Sequence, residues 1–322
     1  MKNEDKKPVQ DEVLNEIPVA CTDETAAVEF MEKQRWGEHP ACPHCGGMKV
    51  SKMTDGNGGR NKRFLWRCHD GGEQFTVRIG TVFEDSRIPL KIWCHAFWRA
   101  CASKKGVSAL QISRECRISY KTALFLMHRI RFAMTEIRGD GKLRGIVEAD
   151  ETYVGGKPRG GINQIHIDHR RGRGTKKTPV FAMVERDGDV RARVVPNVTA
   201  QTLGKIMPRH IHPSARIMTD NYRSYIPIGK HFASHDVVRH NIGEYVRGDV
   251  YSNTAESFFA ILKRGLYGTF HAVSKKHLHR YIHEFEFRWN TRHANDGERI
   301  AEAIKGADGK RLRYYQPTAK SA

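Results

Sequence analysis

Ile146-Val147-Glu148-Ala149-Asp150 is the stretch on which the fold turns. Its apolar and β-branched residues predict a strand buried in a sheet, and the run delivers an acid at its end. Outward from it, Phe181 to Glu185 and Val190 to Val195 predict two further strands joined by Arg186-Asp187-Gly188-Asp189, a strong hairpin turn. Thr202 to His210 predicts a helix, and Arg216-Ile217-Met218-Thr219-Asp220 is another strand that ends in an acid. A short strand follows near Asp236-Val237-Val238, after which Asn253 or Ser252 caps a helix carrying Glu256 and Lys263. Strands alternating with helices from Gly145 onward predict an α/β-type domain.

Upstream the pattern is different. Residues 1–20 read as an acidic, mobile lead-in, and Thr25 to Gln34 as a short helix. From Arg35 to Arg78 the chain is Gly-rich and carries cysteines, with Asp55-Gly56-Asn57-Gly58-Gly59 predicting a tight turn between two short strands. Cys42-Pro43-His44-Cys45 followed by two glycines is a knuckle whose thiolates can grip one face of a tetrahedral zinc. Cys68 follows the strand-like Arg63 to Arg67, but three residues further on stands Gly71, so three cysteines are in place. His69, Asp70 and His44 are the candidates for a fourth ligand; a metal-free ribbon held by Trp66, Phe75 and Val77 is the alternative. Cys94, Cys101 and Cys116 lie in apolar helical surroundings and read as small buried hydrophobes.

Leu90 to Met134 predicts helices. Leu110, Ile112 and Cys116 mark a short one, Arg117-Ile118-Ser119 a turn with Ser119 as N-cap, and Tyr120 begins the next. In a helix-turn-helix the first residues of the second helix reach base edges, here Ser119, Tyr120, Lys121 and Thr122. A plain three-helix core would show the same pattern.

Of the 322 residues, 55 are Lys or Arg and 36 Asp or Glu, a net charge of +19. Residues 1–30 hold three lysines against eight acids, which leaves −5 there and +24 on the rest. An excess of that size over a folded body is the footprint of a phosphate-rich partner. Residues 157–177 concentrate it: Arg170, Arg171, Arg173, Lys176 and Lys177 among glycines predict a loop that tracks phosphates, with a solvated spacer as the alternative. No apolar run reaches the ~20 residues a membrane span needs. The charged first residues lack the apolar core of a signal peptide, which predicts a cytoplasmic protein with reduced cysteines. Gly155-Gly156-Lys157 lacks the earlier glycine of a phosphate-binding loop. Phe287 stands where His283-Glu284 would need a second histidine for a zinc-protease motif.

Val147 to Lys157, Met218-Thr219-Asp220 and Asn253-Thr254-Ala255-Glu256-Ser257-Phe258-Phe259-Ala260-Ile261-Leu262-Lys263-Arg264 together resemble the DDE-type bacterial insertion-sequence transposases, in the group with a zinc ribbon and helix-turn-helix upstream of an ISXO-like catalytic domain. Gly80 to Arg87 and Arg280 to Asn290 resemble it as well, so the likeness runs from about Ala20 to Arg292. It implies an α+β and α/β multidomain chain: lead-in 1–20, zinc-ribbon-like β unit 21–89, helical helix-turn-helix region 90–140, ribonuclease-H-like catalytic domain 141–292 and a tail 293–322. Gly71 departs from the family's fourth zinc cysteine and puts the ribbon's zinc in question.

The resemblance further implies metal-dependent cleavage and strand transfer on double-stranded DNA, at the element's terminal inverted repeats and at a target, by a homo-oligomer in the nucleoid and without a membrane. Hard cations such as Mg²⁺ or Mn²⁺ require carboxylate oxygens, and Asp150, Asp220 and Glu256, at spacings of 70 and 36 residues, are the expected ligands. Glu148 and Glu151 are the alternatives for the first acid. Lys263, two helical turns past Glu256, is expected to hold a DNA phosphate beside them. Two rival readings stand beside this one: a DNA-binding regulator with an inactive nuclease-like domain, and a structure-selective ribonuclease-H-like nuclease.

Overall fold

A computed structural model describes residues 11–135, 141–156, 175–238 and 246–313. The chain divides into two compact units, residues 1–136 with 293–322, and residues 137–292.

In the first unit, Glu12–Ala20, expected within a mobile lead-in, is a helix (α1). Asp11 caps it by accepting the Leu14 N–H at 3.2 Å, and Ile17 and Ala20 are fully buried, which is why the segment folds despite its acidity. Helix α2 (Glu24–Trp36) is capped in the same way by Asp23. Three short antiparallel strands follow, β1 (Val50–Lys52), β2 (Trp66–Cys68) and β3 (Gln74–Phe75), with Val50 opposite Cys68 and Trp66 opposite Phe75. Helix α3 (Leu90–Ala102) buries Leu90, Trp93, Cys94, Phe97 and Cys101, an i, i+3, i+4, i+7 stripe. The turn 116–119 joins α4 (Ala109–Glu115) to α5 (Tyr120–Ala133), with Arg117 at φ +53° and Ser119 accepting the Thr122 N–H.

The second unit is built on five strands: β4 (Ile146–Val154), β5 (Thr178–Glu185), β6 (Val190–Val194), β7 (Arg216–Asp220) and β8 (Ser234–Val238). Their order in the sheet is β6-β5-β4-β7-β8, antiparallel from β6 to β4 and parallel from β4 to β8. Three meandering strands followed by two parallel ones beyond the first is the ribonuclease-H-like arrangement. Strand alternation divides the core. Val147, Ala149, Phe181, Met183 and Ile217 pack with α6 (Ala200–His210) and α7 (Tyr225–Gly229). On the other face, Val180, Ala182 and Val184 pack with α8 (Asn253–Gly265) and α9 (Leu278–Asn290). Among the described residues, no helix is long and apolar enough to cross a membrane.

Residues 293–322, expected as a tail, contain a last helix, α10 (Asp296–Lys305), which returns to the first unit. Asn295 and Glu298 form a reciprocal capping box, Ile300, Ala303 and Ile304 are buried, and the Gly297 N–H donates to Asp11 Oδ2 at 3.0 Å. Asp11 therefore serves two helices with one carboxylate. Ile300→Ala removes a fully buried side chain and should destabilise the first unit by about 2–5 kcal/mol in urea unfolding. A loss under about 0.5 kcal/mol would show this helix to be a loose appendage after all.

Candidate active site and metal centre

β4 and β7 run parallel with Ala149 opposite Thr219, and on each strand the next residue is an acid. Asp150 and Asp220 thus stand side by side, each half-buried; Asp220 ends β7, whereas Asp150, expected at a strand end, lies mid-strand, because β4 runs on to Val154 with β5 paired to it as far as Thr178. Asp220 accepts the Tyr222 N–H at 3.0 Å and Asp150 the Glu151 N–H at 2.7 Å. Side chains two apart share a face, so Asp150 lies on the face of Thr152 and Glu148, toward the side that carries α8. Glu256, exposed in the first turn of α8, belongs to that side.

The electrostatics of Asp150 express this crowding. Burial, and then the charges of Glu151, Asp220 and Glu256, push its carboxyl from 3.8 up to about 7 against the Glu151 N–H, which lowers it. The three acids of the sequence reading are therefore neighbours electrostatically. They do not meet at one point: among the described residues, the only three ligand-type side chains whose donor atoms lie within 4.8 Å of one another are Cys42, Cys45 and Cys68. Carboxylates that share two cations roughly 3.5–4 Å apart have no need to converge more tightly.

The alternatives for the first acid are occupied otherwise. Glu151 points to the opposite face, where its carboxylate accepts the Tyr225 hydroxyl at 2.8 Å. Glu148 is fully buried and accepts the N–H groups of Thr254 at 2.8 Å and Ala255 at 3.0 Å, the first turn of α8. Here the structure corrects the expected cap. Ser252 occupies the cap position without a side-chain cap bond and Asn253 is exposed, because orphan N–H groups of the first turn are already taken by Glu148 of β4, on the sheet face that α8 covers. The signal for this was Glu148 set between the core residues Val147 and Ala149, since a buried carboxylate must find donors.

Lys263 is half-buried in the last turn of the same helix. Ser119, Tyr120 and Lys121 are exposed at the start of α5, with Thr122 half-buried behind them. Lys176 is exposed and Lys177 half-buried; Arg170, Arg171 and Arg173 lie outside the described residues.

In the first unit the two knuckles bring Cys42, Cys45 and Cys68 together, with Cys45 and Cys68 sulfurs 3.6 Å apart, close to the edge of a zinc–thiolate tetrahedron. The Gly47 N–H donates to Cys45 Sγ and the Gly71 N–H to Cys68 Sγ, the bonds of a thiolate-holding turn. The Gly71 bond holds the Cys68 thiol below its ordinary range. A Cβ at Gly71 would sit 3.7 Å from Cys45 Sγ and 3.9 Å from Cys68 Sγ, so a fourth cysteine there would face the cluster. The donors present fit zinc, three thiolates with the fourth position left without a protein sulfur. His69 is committed to Ser51 at 2.9 Å, whereas the Asp70 carboxylate lies beside the first knuckle, against Gly47. Trp36, Trp66 and Phe75, with ring centroids 5.6–6.3 Å apart, pack beneath.

A zinc ribbon in one unit and a ribonuclease-H-like sheet with paired acids on neighbouring strands in the other define a class, the insertion-sequence transposases with a zinc ribbon. The family described as ISXO2-like transposase domain matches residues 142–290, and the transposase zinc-ribbon domain matches residues 22–74. The chain belongs to this transposase family. An uncharacterized protein in transposable element ISH50 of Halobacterium salinarum is 31% identical over 275 residues, spanning 82% of this chain and 90% of that protein. An uncharacterized transposase-like protein of Haemophilus influenzae is 32% identical over 97 residues, 30% of this chain and 77% of that one. Among solved structures, the Mos1 strand transfer complex is similar at a TM-score of 0.30 and 14% identity, covering 64% of this chain and 74% of that one.

Two outcomes follow from the geometry. As pH rises above 3.8 the unfolded chain releases the Asp150 proton while the folded chain keeps it to about 7, so the metal-free protein loses stability across that window, by at most about 4 kcal/mol. Melts in EDTA at pH 5 and pH 8 should show this loss in the wild type and little of it in Asp150→Asn; an equal loss in the variant contradicts the assignment. Gly71→Cys should slow zinc release to a chromogenic chelator at least tenfold, whereas an unchanged rate would mean that residue 71 does not face the metal.

Proposed function

We propose that this chain is a DDE transposase that binds the terminal inverted repeats of its own element and catalyses metal-dependent DNA cleavage and strand transfer at Asp150, Asp220 and Glu256. The observation that carries this reading is the parallel pairing of Ala149 with Thr219, which sets Asp150 beside Asp220 on the face where α8, with Glu256 in its first turn, packs. Like charges gathered on one side of a sheet oppose folding, and a divalent cation is what offsets them. The donor set, carboxylates without nitrogen or sulfur, suits Mg²⁺ or Mn²⁺. Bound there, such ions supply the positive charge that stabilises the attacking and leaving oxygens of an in-line phosphodiester displacement.

The chain's own groups orient the DNA. Ser119, Tyr120, Lys121 and Thr122 read base edges at the element end, as the exposed start of α5 permits. Lys263 and the basic segment 157–177, with Arg170, Arg171, Arg173, Lys176 and Lys177, bind phosphates and bring the scissile bond to the acids. In the first step water attacks phosphorus and the element's 3′-oxygen leaves as a hydroxyl. In the second that hydroxyl attacks a target phosphodiester, forming one P–O bond as another breaks. Joining two ends calls for at least two copies of the site, hence a homo-oligomer assembled on nucleoid DNA in the cytoplasm.

Incubation with Mg²⁺ and labelled end DNA separates this reading from its rivals: joined products support it, cutting without joining marks a nuclease, and binding without cutting marks a regulator. Asp220→Asn should abolish cleavage while end binding stays within a few fold, because a ligand is lost and no DNA contact. Cleavage by that variant at the wild-type rate would remove Asp220 from the site.

A further inference from the structure

Glu148 stands two residues before Asp150 on β4, about 6.6 Å along the strand and on the same face. All of its acceptor capacity is directed at α8 and at one arginine. Oε2 takes the N–H groups of Thr254 and Ala255, and Oε1 takes the Thr254 hydroxyl at 3.0 Å and Arg186 Nε at 2.7 Å. Arg186, in the hairpin turn after β5, continues the connection. Its Nη1 donates to the Asp249 carbonyl at 2.7 Å and its Nη2 to the Tyr251 carbonyl at 2.9 Å, while its guanidinium lies 3.6 Å from the centre of the Tyr251 ring. The lead-in to α8 and its first turn are thus both tied to the central sheet.

Capping alone does not account for this. Ser252 is present at the cap position, where a serine side chain could take the same N–H groups locally, yet it makes no cap bond, and a buried ion pair stabilises a fold no better than well-packed apolar groups of similar volume. What a cap from β4 adds, and a local cap lacks, is a fixed position of the helix relative to the strand. Ala255 is bound by Glu148 and the next residue is Glu256, so the strand that delivers Asp150 also sets the acid from the helix.

We propose that Glu148, held by Arg186, is a positioning residue that fixes α8 on β4 and so places Glu256 beside Asp150 and Asp220 for binding divalent ions. This rests on the reading of those acids given above. A misplacement near 1 Å can cost about 10²-fold in rate, which is the scale on which the tie acts.

The test uses the full chain and Mn²⁺ as probe, with binding followed by the free-ion electron paramagnetic resonance signal in the absence of DNA, and thermal melts alongside. Glu148→Gln keeps the side-chain volume and one acceptor but loses the charge that holds Arg186. It should remain folded, bind Mn²⁺ at least tenfold more weakly, and cleave end DNA at least thirtyfold more slowly at saturating Mg²⁺ with the KM for DNA unchanged. Where the single variant unfolds, Glu148→Gln with Arg186→Met leaves no unpaired buried charge and is expected to show the same losses. A folded variant with Mn²⁺ affinity within twofold of wild type and an unchanged saturating rate overturns the proposal, since a merely structural role would move the melt alone. Glu256→Gln and Asp150→Asn serve as references. Wild-type Mn²⁺ binding and cleavage in both overturns the reading of the acids and the proposal with it, whereas losses there with none in Glu148→Gln overturn the positioning role alone.

Discussion

The parallel ladder between β4 and β7 pairs Ala149 with Thr219, and the chain continues on each strand into a carboxylate. Backbone hydrogen bonding therefore forces Asp150 and Asp220 together whatever their charges prefer. The cost appears in Asp150, whose proton is held to about 7, first by burial and then by its acidic neighbours. A sheet stabilised by its apolar faces can carry such repulsion because Val147, Ala149 and Ile217 bury completely behind the acids. On the proposed reading, a divalent cation is what offsets that repulsion.

The third acid comes from a helix, and a helix packed by apolar contacts alone can slide. Ala255, Phe258 and Leu262 supply the apolar stripe that holds α8 against the sheet, but they set its register only loosely. The buried Glu148 carboxylate and Arg186 add directional bonds at the end where Glu256 emerges. Burial of an ion pair is acceptable here because both carboxylate oxygens and all three guanidinium nitrogens find partners, which is the condition under which such a pair does not destabilise.

Much of this arrangement was legible in the residues. The period-2 and apolar runs around Asp150, Asp220 and the 186–189 turn gave the strands to within a few residues, and the order of the elements gave the sheet. Ser119 was legible as a cap because its partner, Thr122, is three residues away. The missed features are long-range ones. Glu148 caps a helix more than a hundred residues downstream, and Asp11 ties together α1 and α10, at opposite ends of the chain. The acidic charge near the start led residues 1–20 to read as a mobile lead-in, yet Ile17 and Ala20 find a core supplied in part by distant sequence. The Ile300, Ala303, Ile304 spacing of α10 was visible, but it lay beyond the stretch where the family resemblance ends. In the ribbon, the spacing singled out Gly71, whose position faces the sulfurs, while the closeness of Cys42, Cys45 and Cys68 depends on the chain folding over the Trp36, Trp66 and Phe75 cluster.

The central claim is that Asp150, Asp220 and Glu256 together hold the divalent ions of a DNA-cleaving site. It is tested most directly by anomalous scattering from crystals of the full chain grown with Mn²⁺. The account predicts manganese peaks coordinated by Asp150 and Asp220, with Glu256 as a further ligand. Manganese held elsewhere in a protein that cleaves end DNA, with these three carboxylates uncoordinated, would contradict it.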